Sequence, residues 1–598
     1  MDSIAFSATP SPGDTRHRSV GIALVAGLLP TLLMVLFHDR SWFAPDEGIY
    51  AHIAERVLQG EILHRDIQDI HPGYIHYLNA LSLQLFGHSL ESLRITLAAG
   101  SILAALMVAI LLNRSGVLVA VIGSVATVAL GPLVFLNPSA NWYALFLAIG
   151  VALVIQRMET GSWGQLLVLG LLIGATFMVR QLSAVFLALG ALAAICTFCE
   201  SNPTLRPFGN KDRIGAIFLG GGCALAISGY FLIIRDDLLA WVLFGLGPTV
   251  IAILLVQKGR TKFRLSPHFG YLAVGLLVPA FPVFLQQLLV GDLEKWIFDI
   301  TRLAASITRI EFVENAGYDV ILSDALFGIF LGINEFNMGG IMASVAILGL
   351  LLAPALLAIR VVYSIRAGRQ DSSIRVALVA LFYAVGNAHY PSLIYLAFAA
   401  PLVVAAHLYL ASGKSSSRWS TIVVALISAC SVVGLAARQM DVSAGAIIRA
   451  QSISWSQSER LPSLGLRIPL NDVARYDSII ESIWNLTHNK DKIFVFPANP
   501  EIYFLSKRSN PFSFYNSTLG IQTCIQLERV ATHLAAADGP ALVVHGPHVK
   551  YETDVSLALK KWLDNEFQVE EEHYGFKVYT RPRRTVSSRP VCPEPEVP

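Results

Sequence analysis

Two carboxylates stand side by side in Pro45-Asp46-Glu47-Gly48, just after an apolar run, and Asp66, Asp69, His71 and Pro72 follow before the next one. This is the densest group of side chains able to move protons or hold charge in an otherwise apolar chain. A carboxylate placed there can take a proton from a reacting hydroxyl. A histidine nearby can meet an oxygen that becomes negative. The acid pair also suits the first turn of a helix, where Asp and Glu oppose the positive end of the backbone dipole. Capping alone leaves the Asp-x-His-Pro run unexplained.

The elements that position these residues follow from composition. The chain has 598 residues, 54% of them hydrophobic and 14% charged, with a mean hydropathy of +0.58. Soluble globular chains carry about 25% charge, so an ordinary soluble enzyme and a disordered chain are both excluded. A net charge of +2 is too balanced for a nucleic-acid binder. Six cysteines exclude a disulfide-built scaffold. Cys196 and Cys199 form a CxxC inside an apolar run with no second pair, so a tetrahedral metal site is not expected there.

The charge divides the chain. Residues 1–437 are about 11% charged and residues 438–598 about 22%, so a membrane body precedes a tail of soluble composition. Thirteen segments have the roughly 20 apolar residues that a crossing helix needs: 19–37, 90–112, 116–136, 140–156, 163–179, 182–198, 214–234, 238–256, 269–290, 337–359, 374–389, 391–411 and 419–437. With residues 1–18 placed in the cytoplasm, 17 of the body's 26 basic residues fall inside and 18 of its 24 acidic residues fall outside. That is the bias expected of a membrane protein, and it puts the tail, 438–580, on the outer face. Residues 581–598 are rich in Pro and Ser and read as a disordered tail.

Two outer loops, 38–89 and 291–336, are too long to be connectors. In the first, Ile49, Ile53 and Val57 with Tyr50, Ala54 and Leu58 make one apolar helical face, and Tyr74, Leu78, Leu81 and Leu85 make another. Both predict helices lying on the membrane surface. Trp296, Ile297, Ile300, Leu303 and Ile307 suggest a third in the second loop. The tail reads as α/β, with helices over 473–486 and 555–567 and strands over 492–497, 541–545 and 575–579. Arg180 stands alone in the outer turn after the fifth span, beside Met178, Val179 and Leu182. It is either a snorkelling interfacial side chain or a functional cation at membrane depth. Arg302 and Arg309 in the second loop are weaker candidates of the same kind.

The run Pro45-Asp46-Glu47, a surface helix, Asp69-Ile70-His71-Pro72-Gly73-Tyr74 and Leu85-Phe86-Gly87 resembles the first outer loop of the GT-C glycosyltransferases. It is similar to protein O-mannosyltransferases, whose loop has an Asp-Glu pair and then Asp-Val-His-Pro-Pro, and to bacterial lipid A aminoarabinose transferases, which have Lys-Pro-Pro at the second site. Pro500-Glu501-Ile502-Tyr503-Phe504-Leu505-Ser506 resembles the family's outer C-terminal domain. The resemblance implies a GT-C membrane fold of about thirteen spans with an outward-facing active site. It implies a polyprenyl-phosphate-linked sugar as donor and inverting transfer to a glycan (such as lipopolysaccharide), lipid or protein acceptor of the bacterial cell envelope, at the inner membrane.

On that resemblance Asp46 is the expected base, with Glu47 its helper or structural partner. His71, with Asp69, falls where the family meets the donor's phosphate or sugar, and Arg180 is the second candidate for that phosphate. The turn Asn387-Ala388-His389-Tyr390-Pro391 resembles a Tyr-containing turn near the carrier lipid, so His389 and Tyr390 join the donor set; a satisfied interfacial His is the competing reading. One departure stands out. Relatives often carry an Asp at the outer start of the fourth span, but this chain has Asn137-Pro138-Ser139-Ala140-Asn141. Asn141 can hydrogen-bond an acceptor but cannot be a base. No cofactor and no required metal are expected, and the Trp-Trp-Asp of oligosaccharyltransferases is absent. A flippase of lipid-linked sugars and a ligase or polymerase of lipid-linked oligosaccharides are the alternatives. Neither repeated halves nor mid-span charges favour a transporter.

Overall fold

The computed structural model describes residues 12–158, 162–198, 210–234, 237–257, 269–307, 317–334, 338–369, 371–411, 454–547, 552–581 and 588–593. The body is helical. Six helical stretches are long and apolar enough to cross a membrane: Leu90–Ser115, Val117–Val134, Ala140–Arg157, Leu238–Leu255, Gly270–Leu289 and Ser344–Arg366. Six shorter apolar helices, Gly21–Phe37, Trp163–Val179, Gln181–Ile195, Gly220–Leu232, Ser372–Val385 and Ala400–Ala411, pack among them. The chain is a polytopic membrane protein. These helices fall on the first twelve expected segments; the thirteenth, 419–437, lies outside the described residues, as do Cys199 and Arg309.

The first outer loop holds two helices, α1 (Ala44–Leu58) and α2 (Tyr74–Phe86), joined by a strap over 59–73. α1 starts as its sequence directs, with Pro in its first turn followed by Asp46 and Glu47. It does not lie on a membrane surface. Gly48, Ala51, His52 and Ala54 are buried together with Tyr50 and Ile53, because the C-terminal domain covers the side expected to face solvent. A Cβ on Gly48 would sit 2.3 Å from the backbone nitrogen of Glu501, so only glycine allows that approach. α2 keeps a lipid-facing edge at Leu81, Leu85 and Phe86.

The next helix, α3 (Leu90–Leu112), carries the residue that anchors α1. Arg94 is fully buried and uses all five of its N–H groups. Nε donates to Glu47 Oε2 at 2.9 Å and Nη2 to Glu47 Oε1 at 2.6 Å. The others go to the carbonyls of His38 at 3.0 Å, Arg40 at 2.8 Å and Ser41 at 2.7 Å. Glu47 Oε1 also accepts the Phe43 N–H at 3.0 Å, which caps α1 from within.

The second outer loop differs from expectation. The expected interfacial helix is present as Leu293–Phe298, a wide turn Asp299–Leu303 and Ala304–Ile307. A further helix, Tyr318–Asn334, packs on the long Met338–Arg366 helix. Asp319 and Asp324 made that stretch read as loop, yet its Leu326, Phe327, Phe330 and Ile333 face outward as a lipid-facing stripe.

The tail is α/β. Strands β1 (Ile493–Phe496), β2 (Leu542–His545), β3 (Gln568–His573) and β4 (Phe576–Thr580) form one sheet in the order β1-β2-β4-β3. β1 and β2 run parallel; the other neighbours are antiparallel. Helices Leu470–Leu486, Cys524–Ala535 and Asp554–Glu566 cover it. Residues 588–593, inside the segment expected to be disordered, are held by a Cys524–Cys592 disulfide and by the Trp562 indole N–H on the Ser588 carbonyl at 3.0 Å.

Removing Arg94 strands a buried carboxylate, which costs about 3–5 kcal/mol. Arg94→Met is therefore expected to lower the unfolding midpoint of the detergent-purified chain steeply, and Arg94→Met/Glu47→Met to recover part of the loss. Equal midpoints for wild type and the single variant would remove Arg94 as the anchor.

Candidate functional site

Asp46 projects from the first turn of α1, half-buried. Glu47, the next residue, is turned the other way and spends both oxygens on Arg94 and the Phe43 N–H. Of the acid pair, Glu47 is the member committed to the fold.

The strap brings in the second group. Asp69 is fully buried. Its Oδ2 accepts the His71 backbone N–H at 2.8 Å, His71 Nδ1–H at 2.9 Å and His76 Nε2–H at 2.7 Å. Its Oδ1 accepts the Tyr515 hydroxyl at 2.7 Å. Burial pushes the Asp69 carboxyl up, but the charges and hydrogen bonds of His71 and His76 outweigh it and hold the group well below the usual carboxylate range. His71 is therefore oriented through Nδ1, which leaves Nε2 for a ligand. Asp69, His71 and His76 are also the group of metal-ligand type found among the described residues, with one ligand atom from each lying within 4.8 Å of the others.

Tyr50, on α1, connects these pieces. Its ring lies 6.0 Å from His76 and 6.3 Å from His71. Its hydroxyl accepts the Ala140 N–H at 3.3 Å, beside Asn141. Burial raises the Tyr50 phenol, and the charges of Asp46 and Asp69 add to the rise, so both carboxylates lie within electrostatic reach. Asn141 donates to Ser139 Oγ at 2.9 Å, and its Oδ1 has no hydrogen-bond partner among the described residues.

Arg180 ends the Trp163–Val179 helix and is buried, not snorkelling. Its Nη1 donates to Asn387 Oδ1 at 3.3 Å and its Nη2 to His389 Nε2 at 3.2 Å. Its guanidinium lies over the Tyr395 ring, 5.4 Å from the centroid. His389 Nδ1–H donates to the Gly386 carbonyl at 3.2 Å. Nε2 must then accept from Arg180, so this imidazole is neutral. The cation is thus held by uncharged groups. Tyr390 packs on Tyr395 at 5.0 Å.

Gln181 ties the two halves together. Its amide donates to the carbonyl of Ile70, next to His71, at 2.9 Å and to that of Ile300 in the second outer loop at 3.0 Å. That loop also braces the strap through a buried His64–Asp299 pair at 3.0 Å and through the Trp296 indole N–H on the Pro72 carbonyl at 3.1 Å. Gln181, next to Arg180, thus links the strap of Asp69 and His71 to the Arg180–His389 contact, and Tyr50 links it to the turn before Asn141.

Several contributors escaped the sequence reading. His76 follows His71 by five residues, in the first turn of α2, and its type was readable. Tyr515 and Glu501 come from the tail, and no local pattern connects them to the loop. Glu501 is fully buried against Gly48. It accepts from Asn499 Nδ2 at 2.7 Å and from the Tyr476 hydroxyl at 2.9 Å. Burial lifts its carboxyl to about 7, and the charge of Asp46 adds to the lift.

No protein-family model matches the chain, and no curated protein sequence matches it. Among solved structures, the chain is similar to ArnT from Cupriavidus metallidurans bound to undecaprenyl phosphate. The identity is 15%, the match covers 97% of this chain and 100% of that one, and the TM-score is 0.37. The apo state of the same ArnT gives 14% identity, 95% and 98% coverage, and a TM-score of 0.36. At such scores the superposition carries no argument about chemistry, which rests on the contacts described above.

A Glu raised to about 7 from its ordinary value of 4.5 favours the protonated folded state. The fold pays nothing for it at low pH, and stability falls as pH rises from 4.5 through 7, by up to about 3 kcal/mol. Glu501→Gln is expected to raise the unfolding midpoint at pH 8 and to change it far less at pH 5. An equal shift at both pH values would contradict a buried, protonated Glu501.

Proposed function

We propose that the chain is a GT-C type membrane glycosyltransferase that moves a sugar from a polyprenyl-phosphate-linked donor to an acceptor of the cell envelope. The acceptor class is a glycan such as lipopolysaccharide, a lipid or a protein. The observation that carries the reading is the buried guanidinium of Arg180, held among the described residues by Asn387, His389 and the face of Tyr395. Such a cation is suited to an anionic ligand at membrane depth.

In this reading the donor's phosphate sits against Arg180 and the Nε2–H of a His71 that carries both ring protons, its Nδ1–H held by Asp69, with His389 and Tyr390 completing that wall. An apolar recess lined by Phe244, Leu350, Pro354, Leu396 and Val403 adjoins Asn387 and Tyr395. The acceptor hydroxyl lies between Asp46 and Asn141. Asp46 takes its proton as the oxygen attacks the anomeric carbon from the face opposite the phosphate. The carbon–oxygen bond to the phosphate breaks, and its electron pair leaves on an oxygen stabilised by Arg180 and His71. One displacement inverts the anomeric centre.

The proposed sidedness places residues 1–18 in the cytoplasm, 19–437 in a bacterial inner membrane and 438–580 in the periplasm. The Cys524–Cys592 disulfide supports an oxidising compartment for the tail.

Asp46→Asn is expected to lower transfer in membranes about 100-fold or more at unchanged protein level; full activity would remove Asp46 as the base. His71→Ala and Arg180→Ala are expected to weaken donor use while the protein still inserts, with unchanged donor affinity in both counting against the phosphate clamp. Mass spectrometry of envelope glycans from a deletion strain identifies the missing sugar and its acceptor together. A reporter fused after residue 440 is expected to score as external, and a cytoplasmic signal would overturn the topology.

A further inference from the structure

A second guanidinium is held by neutral groups at the opposite end of the bundle from Arg180. The helix Ser372–Val385 marks the two ends: it leads into the Asn387–His389 turn that holds Arg180, and Asp371 caps its start. Arg360 lies at the Asp371 end, six residues before the last residue of the helix Met338–Arg366, or about 9 Å at 1.5 Å per residue. Its Nη1 donates to His407 Nδ1 at 3.0 Å and to the His407 carbonyl at 3.3 Å. His407, on the helix Ala400–Ala411, donates from Nε2 to the Ala353 carbonyl at 2.9 Å. Nδ1 is then an acceptor and the ring is neutral. Arg360 Nε and Nη2 make no hydrogen bond among the described residues, and neither is sealed from the surface. Asp371, a carboxylate at this end, is spent on the Ser373 N–H at 3.0 Å and on Arg369 Nε at 3.1 Å and Nη2 at 2.8 Å. Leu356, Ile359 and Tyr363 are exposed along the same helix at spacings of three and four residues, which makes a lipid-facing stripe beside Arg360.

We propose that Arg360, anchored by His407, binds the phosphate of one anionic phospholipid from the leaflet at this end of the bundle. Its Nε–H and Nη2–H form the edge of the guanidinium that meets two phosphate oxygens side by side. A snorkelling Arg extends alone toward water. This one is folded back onto His407, so its fork keeps one orientation. The depth of about 9 Å from the helix end is that of a headgroup rather than of free solution, and Tyr363 has the amphipathic ring found at that level. An acyl chain of the bound lipid lies along Leu356 and Ile359. An anionic headgroup is favoured over a zwitterionic one because Arg366 and Arg369 add positive charge here, while Asp371 is already engaged and offers nothing to an ammonium. Under the sidedness proposed above this is the cytoplasmic leaflet, where basic pockets between spans meet anionic headgroups. The site itself depends neither on that sidedness nor on the transferase reading.

The test uses the full chain, delipidated in detergent and studied by native mass spectrometry with no sugar donor present. Titration with dioleoylphosphatidylglycerol is expected to give a strongly held adduct of about one lipid per chain, one fork for one phosphate. Dioleoylphosphatidylcholine is expected to be held less well, and inorganic phosphate at the same concentration is expected not to displace the lipid. Arg360→Gln is expected to weaken binding of the phosphatidylglycerol about 10–100-fold, the loss of its charged hydrogen bonds. Arg360→Lys keeps the charge, loses the fork and is expected to weaken it as well. Arg366→Gln removes an exposed Arg at the same end and is expected to hold the lipid as wild type does. The partners of Arg360 are neutral, so neither variant leaves a buried charge unpaired. Wild-type binding by Arg360→Gln or Arg360→Lys would overturn the proposal, and so would an equal loss in Arg366→Gln, because charge alone would then suffice. Equal retention of the phosphatidylcholine would overturn the anionic preference, and displacement by inorganic phosphate would assign the fork to a free anion. All of these readouts are independent of transferase activity, so their failure leaves the glycosyltransferase reading standing.

Discussion

The buried pair of Glu47 and Arg94 determines where the first outer loop goes. An isolated buried charge is prohibitively costly, and a buried pair is tolerated when its remaining hydrogen-bonding capacity is filled. Here it is filled. The five guanidinium donors reach two carboxylate oxygens and three carbonyls, and Glu47 also caps α1 through the Phe43 N–H. The three carbonyls belong to His38, Arg40 and Ser41, and Ser41 has a positive φ of 62°. The chain leaving the first span is thereby bent into one path. Asp46 precedes Glu47 and inherits its position from that cage. The acid pair is a division of labour in which one carboxylate is committed to structure and fixes the place of its neighbour.

The tail completes what the loop begins. Arg467 pairs with Asp39 at 2.7 Å, and the Trp42 ring packs edge-on to Tyr476 at 4.5 Å. Arg56 donates to the Phe512 carbonyl at 3.1 Å, and the Gln68 N–H to that of Ser513 at 2.8 Å. Asp39, Trp42, Gly48, Arg56, Gln68 and Asp69 thus each have a partner in the tail. This is why α1 has no face left for a membrane surface, and why Gly48 must be glycine. It also gives the tail a physical role in the site, because Tyr515 supplies one of the four donors that keep Asp69 ionised.

The elements visible in the sequence were those with local periodicity. Apolar runs foretold the described helices of the body, and the pattern of Val473–Leu486 foretold the amphipathic helix Leu470–Leu486. The alternation failed where local signals conflicted. Tyr318–Asn334 carries two acids that made a lipid-facing helix look like loop, and α1 carries an apolar stripe whose opposite side is buried as well. For the site, Asp46, Asp69 and His71 were readable because they crowd one short segment. The separate fates of Asp46 and Glu47 were not, because they depend on Arg94, 47 residues away. Glu501 and Tyr515 depend on tertiary contacts across more than 400 positions, and no spacing rule reaches that far.

The charges of the site are arranged as opposites in kind. Asp69 is a buried anion saturated with donors, Arg180 a buried cation among neutral acceptors, and Glu501 a buried acid whose carboxyl burial lifts to about 7. A guanidinium that had a carboxylate partner would have to give it up before holding a phosphate; one held by Asn387, a neutral His389 and the face of Tyr395 does not. Likewise, lifting the Glu501 carboxyl to about 7 reduces the negative charge it places beside Asp46. Low dielectric makes each of these arrangements expensive alone and strong toward a ligand of the missing sign. The protein meets that cost through contacts between the loop, the bundle and the tail.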